Sequence, residues 1–178
     1  ADWSVYQYYM YINGNYYAGL KSAGEALADI GHPDAKAILD NAAEYRDCIW
    51  RAYKNAQSLA PVFSLKDGTW VPMYPTQAYS IWPTNQMYPA SDSGRSWCYD
   101  VEIGAHHLIP MDVMQPDGDD ARWMMDHMED VQFLADGWFY YPAEKSQKDW
   151  FNLGGFAKVQ PYYARTGEAH AKRDDVKP

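Results

Sequence analysis

Positive charge, cysteine and long apolar runs are all scarce in this chain, and each shortage narrows what it can be. Fifteen lysines and arginines face 24 aspartates and glutamates, a formal net charge of −9. No lysine or arginine run occurs anywhere. A surface that neutralises phosphates needs clustered positive charge, so nucleic acid and anionic membrane are not expected partners. No apolar stretch is long enough to span a bilayer. Cys48 and Cys98 are too few for a disulfide framework and match no metal spacing. They leave the redox compartment open. The P-loop, the GxGxxG turn after a strand, the GxSxG elbow and CxxC are missing as well, and no cofactor is expected.

What is present is a chain of 178 residues, 47% hydrophobic and 22% charged. That is the balance of one folded domain with a real core, spanning residues 1–178. Aromatic residues make up 16%, including 8 Trp and 16 Tyr. Many lie in segments rich in Gly, Pro, Asn and Asp. A flat apolar face with a polar edge suits a sugar ring, whose axial C–H groups stack on aromatic planes. Packing between loops is the alternative. The start, "ADWSVYQYYMY", has no initiator methionine and no signal-peptide pattern, so a processed or excised N-terminus is expected. The end, "RDDVKP", is polar.

Periodicity predicts a mostly helical chain. Tyr16, Leu20, Ala23, Leu27 and Ile30 recur at helical spacing. Gly31 stops that helix, and Pro33 suits the first turn of the next. Ile38, Ala42, Tyr45, Ile49, Tyr53 and Ala56 then form an inward stripe. So short a turn makes the two helices antiparallel. Residues 60–98 are proline-rich and aperiodic, a long irregular excursion within the domain, with "KDGTW" as a turn between two short extended runs. A loop of that length is usually functional. Helices are expected again at 100–112 and 118–136, and over "DWFNLGGFAKVQPYYAR". In the 118–136 helix, Ala121, Met124, Met128, Val131 and Ala135 face one way. Asp119, Arg122, Asp126, Glu129 and Asp130 face the other, with Arg122 compensating Asp126. Repeated α-hairpins indicate an all-α toroid or solenoid. The lack of a fixed-length repeat counts against the solenoid.

The stretch "YDVEIGAHHLIPMDV", residues 99–113, stands out. Its apolar residues spread round most of a helical wheel, as in a buried helix. Glu102, His106 and His107 are then left needing a partner or a task. Glu102 and His106 lie one turn apart and can touch, either as a tuned general acid with its histidine or as a structural pair. His107, on another side of the wheel, reads as a histidine that hydrogen-bonds in the core or a loop.

Taken in order, "DGTWVP", "YDVEIGAHHLIP", "WMMDHMEDVQFLADGWFYYP" and "DWFNLGGFAKVQPYYAR" resemble bacterial six-hairpin glycosidase-like proteins. The resemblance is one of phrase order and residue character, over most of the chain. It implies an (α/α)6 toroid whose funnel holds an oligo- or polysaccharide among acidic and aromatic residues, and a periplasmic or secreted location. A full toroid needs twelve helices, and 178 residues supply five or six. The expectation is therefore a partial barrel, covered by a second copy or by the rest of a larger polypeptide.

Within that resemblance, Glu102 and Asp130 are the acid/base candidates, with His106 tuning Glu102. Trp70, Trp97, Trp138, Tyr140, Tyr141 and Trp150, each beside a turn or helix end, are the candidates for sugar stacking. Asp126, Glu129 and Asp130 read equally well as a solvated acidic face. His106, His107, His127, Asp126 and Glu129 lack the spacing of a metal motif, so no metal is expected. The leading expectation is hydrolysis of glycosidic bonds. A non-catalytic carbohydrate-binding or scaffold module is the second. A polysaccharide lyase using Tyr141 and His106 is the third, disfavoured by a charge that repels uronic acids.

Overall fold

A computed structural model of the chain describes residues 8–79, 104–130 and 164–174. These are mostly helical: α1 (Met10–Asp29), α2 (Ala35–Leu59), α3 (Asp119–Asp130) and α4 (Ala164–Lys172), with one short hairpin, β1 (Val62–Ser64) and β2 (Trp70–Pro72).

α1 has no side-chain cap at its start. The Met10 amide instead donates to Thr76 O at 2.9 Å, and Tyr9 forms a bridge with Gln77. A tertiary partner thus satisfies an amide that the helix cannot. At the other end Gly31 adopts φ +69°, and the His32 amide closes back on Leu27 O at 2.9 Å. This is a left-handed glycine stop. Pro33 sits in the turn rather than inside the next helix, which begins at Ala35.

α1 and α2 form an antiparallel hairpin. Leu39 packs where a Cβ on Gly24 would stand 2.7 Å from it, and thirty-two residues apart Tyr45 Oη donates to Asn13 Oδ1 at 2.5 Å. The inward stripe of α2 includes Ala42, Ile49, Tyr53 and Ala56, all buried, as its periodicity predicts. On α1 the buried edge is Met10, Gly14, Tyr17 and Gly24. The apolar stripe expected there behaves differently: Tyr16, Ala23 and Ile30 are exposed.

In the hairpin Val62 pairs with Pro72 and Ser64 with Trp70. The loop between them turns on Gly68 at φ +88°, while Asp67 Oδ1 accepts the Thr69 amide at 2.8 Å. This is the turn that "KDGTW" predicts.

The expected helix at 100–112 is corrected. Among its described residues there is a 3-10 helix of four residues, Ala105–Leu108, followed by turns. Residues 104–109 are all buried. An apolar wheel with no polar face therefore marks a short knot in the core, not a full helix. Gly14 lets the knot approach α1, with Met111 Sδ 2.7 Å and Leu108 Cδ2 3.0 Å from where its Cβ would be.

α3 seals the knot from the other side with Ala121, Met124, Met125 and Met128. Each such methionine contributes about 1.5–3 kcal/mol by leaving water. α4 adds Ala169, fully buried, and its C-terminal end is tied down by Arg173 Nη1 donating to Pro116 O at 2.5 Å. Val131 and Ala135 lie outside the described residues.

Candidate functional site

The cleft with the most varied chemistry opens between α2, the turns after the buried knot and the start of α3. It has a volume of about 360 Å³ and is lined by Arg46, Asp47, Trp50, Asp112, Gln115 and Asp120, among others. α2 supplies three of these on the edge of its apolar stripe, one turn of helix apart or less. Ile49 and Tyr53 are buried next to Trp50, which fixes the indole at the border between core and water. Its ring stacks on Tyr53 at 5.3 Å and 8°, and Lys54 Nζ lies 5.7 Å from its centroid.

Each carboxylate in the cleft has a cation. Lys54 donates to both oxygens of Asp120, at 2.8 and 3.1 Å. Arg46 donates to Asp47 Oδ1 from Nη2 at 3.0 Å and from Nε at 3.2 Å, and this contact raises the guanidinium pKa. Asp112 receives Lys21 from α1 at 3.2 Å on Oδ2 and Lys172 from α4 on Oδ1. The Lys172 hydrogen bond is the main cause holding the Asp112 carboxyl below its ordinary pKa, and Lys21 adds to it. The Lys21 pKa is raised in turn, chiefly by its own hydrogen bond to Asp112. Asp120 also bears on the core. Burial first, and the Asp120 charge second, push the Tyr53 hydroxyl pKa well above its ordinary value.

A second polar group is sealed inside the molecule. His106 and His107 are both 0% exposed, with ring centroids 4.2 Å apart. Tyr11 meets His107 edge-on at 4.6 Å. Tyr74 Oη and His127 Nδ1 are 2.7 Å apart, also buried. His106, His107, His127 and Tyr74 have no surface for a substrate, and their arrangement is that of a polar core.

Of the residues singled out from sequence, His106 is in this core rather than at a surface. Trp70 stands on the hairpin, 67% exposed, apart from the cleft. Asp130 is the last residue of α3, and its side chain, like that of Glu129, lies outside what is described. Glu102, Trp97, Trp138, Tyr140, Tyr141 and Trp150 lie outside the described residues altogether. Arg122 pairs with Asp119 at 2.7 Å, one turn earlier in α3. The expected compensation of Asp126 is corrected to that extent, and Asp126 itself is half-buried. Among the described residues no group of three or more His, Cys, Asp or Glu is arranged to hold a metal ion. No described helix is long and apolar enough to cross a membrane.

Sequence reasoning missed Arg46, Asp47, Trp50, Asp112 and Asp120. The one local signal was a tryptophan bordering the apolar stripe of α2 with charges one turn before it. The remaining members come from segments more than sixty residues away, which only folding brings together. In comparisons with known proteins, no family model, no curated protein and no solved structure matches this chain.

Proposed function

We propose that this chain belongs to a carbohydrate-active protein of α/α-toroid type, and that the cleft beside Trp50 binds a saccharide. One observation carries the reading: an indole at the core–water border flanked by Asp47, Asp112, Asp120, Arg46 and Gln115. A sugar has an apolar face for the indole and hydroxyls that donate to carboxylates and accept from a guanidinium. Asp47 uses only Oδ1 toward Arg46, and Gln115 is exposed, so both have capacity for such a ligand.

Binding fits these residues better than hydrolysis. Hydrolysis by two carboxyl groups needs one that is protonated and one that is ionised. Asp112, held ionised by two lysines, is unsuited to the acid role. Glu102 and Asp130, the hydrolytic pair read from sequence, belong to a second proposal that the same experiment addresses. A lyase using His106 is disfavoured by the complete burial of that ring.

Calorimetric titration with a panel of neutral oligosaccharides tests the reading. We expect at least one ligand to bind, Trp50→Ala to weaken it about tenfold or more, and Trp70→Ala to leave it unchanged. Binding that survives Trp50→Ala would remove the cleft from consideration. Release of reducing sugar by the wild type, lost in Glu102→Gln, would restore hydrolysis as the leading activity.

A further inference from the structure

The outer face of α1 is apolar along its length. Ile12, Tyr16, Gly19, Ala23, Ala26 and Ile30 follow one another at alternating intervals of four and three residues, the spacing of a coiled-coil seam, and all six are exposed. Ile12 is 52%, Tyr16 68% and Ile30 75% exposed. A shallow groove of about 530 Å³ runs along the first part of this face. The buried edge of α1, from Met10 to Gly24, lies on the opposite side; the Tyr16 ring also meets Tyr45 of α2 edge-on at 6.3 Å, yet stays 68% exposed.

We propose that this seam joins two copies of the chain through an antiparallel pairing of their α1 helices, centred near Lys21. Two features choose that occupant. Size is the first. Reversed on itself, the seam sets Ile12 against the partner's Ile30, Tyr16 against the partner's Ala26 and Gly19 against the partner's Ala23. Bulk meets small residues, and the centre admits close approach. A parallel pair sets Tyr16 on Tyr16 and glycine on glycine.

Charge is the second. From Met10 to Leu20 α1 carries no charged residue, and its first turn has no acid. Glu25 and Asp29 are both in the other half and both exposed. Asp29 flanks the seam, and antiparallel pairing brings it beside the partner's N-terminal half, where the helix dipole is positive and lacks an acidic complement. Parallel pairing would leave Asp29 at the C-terminal, negative end of the partner's helix. Lys21, at the centre, is turned aside to Asp112 and does not meet its copy.

Sedimentation equilibrium on the full 178-residue chain tests the pairing, with Gly19→Leu as the variant. A Cβ at Gly19 meets nothing within 4 Å, so the substitution leaves the single chain intact, as far-UV circular dichroism will verify, yet separates two paired helices. The expected result is a wild-type dimer whose dissociation constant rises about tenfold or more in Gly19→Leu. For the register, Ile12→Cys and Ile30→Cys chains, each also carrying Cys48→Ser and Cys98→Ser, are mixed and oxidised. Disulfides between unlike chains are expected. A monomer at every concentration, a dimer indifferent to Gly19→Leu, or disulfides confined to like chains would each overturn the proposal.

Discussion

Asp112 adopts φ +60°, a left-handed conformation, and binds lysines from two separate helices. An aspartate or asparagine tolerates that backbone better than most residues, so Asp112→Asn keeps the turn and removes only the charge. The carboxyl pKa is lower in the folded chain than its ordinary value, so the folded state binds fewer protons than the unfolded state as both titrate. The stabilisation is therefore complete above the unfolded value of about 3.9 and is lost as pH falls through the folded one. The side chain is about half exposed, and solvent screening limits the effect to about 0.5–1 kcal/mol. We expect Asp112→Asn to lower the melting temperature at pH 7. The gap to wild type should shrink toward zero in melts taken progressively below pH 4.

Glycines on two helices separate packing from propensity. At Gly14 a methyl group would collide with Met111 and Leu108, whereas at Gly167 in α4 it would meet nothing within 4 Å. Gly167→Ala should therefore stabilise by about 0.5–1 kcal/mol, the helix-propensity gain alone. Gly14→Ala gains the same propensity but must displace two core side chains, at a cost of about 1–3 kcal/mol. We expect urea melts to move in opposite directions. At this scale α1, α2, α3 and the hairpin turn were legible because caps, glycines and spacing act locally. The 99–113 segment was misread because an apolar wheel cannot distinguish a long buried helix from a short buried turn.

Seven of the eight methionines, Met10, Met73, Met111, Met114, Met124, Met125 and Met128, are no more than 5% exposed. Unbranched thioethers fill the irregular space between the α1–α2 hairpin, the 3-10 knot and α3. Oxidation turns such a side chain polar and requires access. In native buffer we expect these seven to resist peroxide, by peptide mass spectrometry, and to oxidise together when denaturant unfolds the chain. Selective rapid oxidation of Met124, Met125 and Met128 would show that α3 opens independently of the hairpin.

Local chemistry alone, read from the sequence, determined the helical character, the Gly31 stop, the inward stripe of α2 and the "KDGTW" turn. Each depends on residues within a few positions of one another. The sequence also identified the α1 stripe of Tyr16, Ala23 and Ile30 as apolar, but periodicity cannot say which of two apolar faces meets the core. Tertiary structure decided that, because Gly14 and Gly24 on the other face admit Leu108, Met111 and Leu39 at distances no larger residue allows. It also decided that His106 and His107 are buried together, and that Trp50, Asp112 and Asp120 share one cleft. Trp50 lies more than sixty residues before Asp112 and Asp120 in the chain, and no local propensity encodes a meeting that only packing creates.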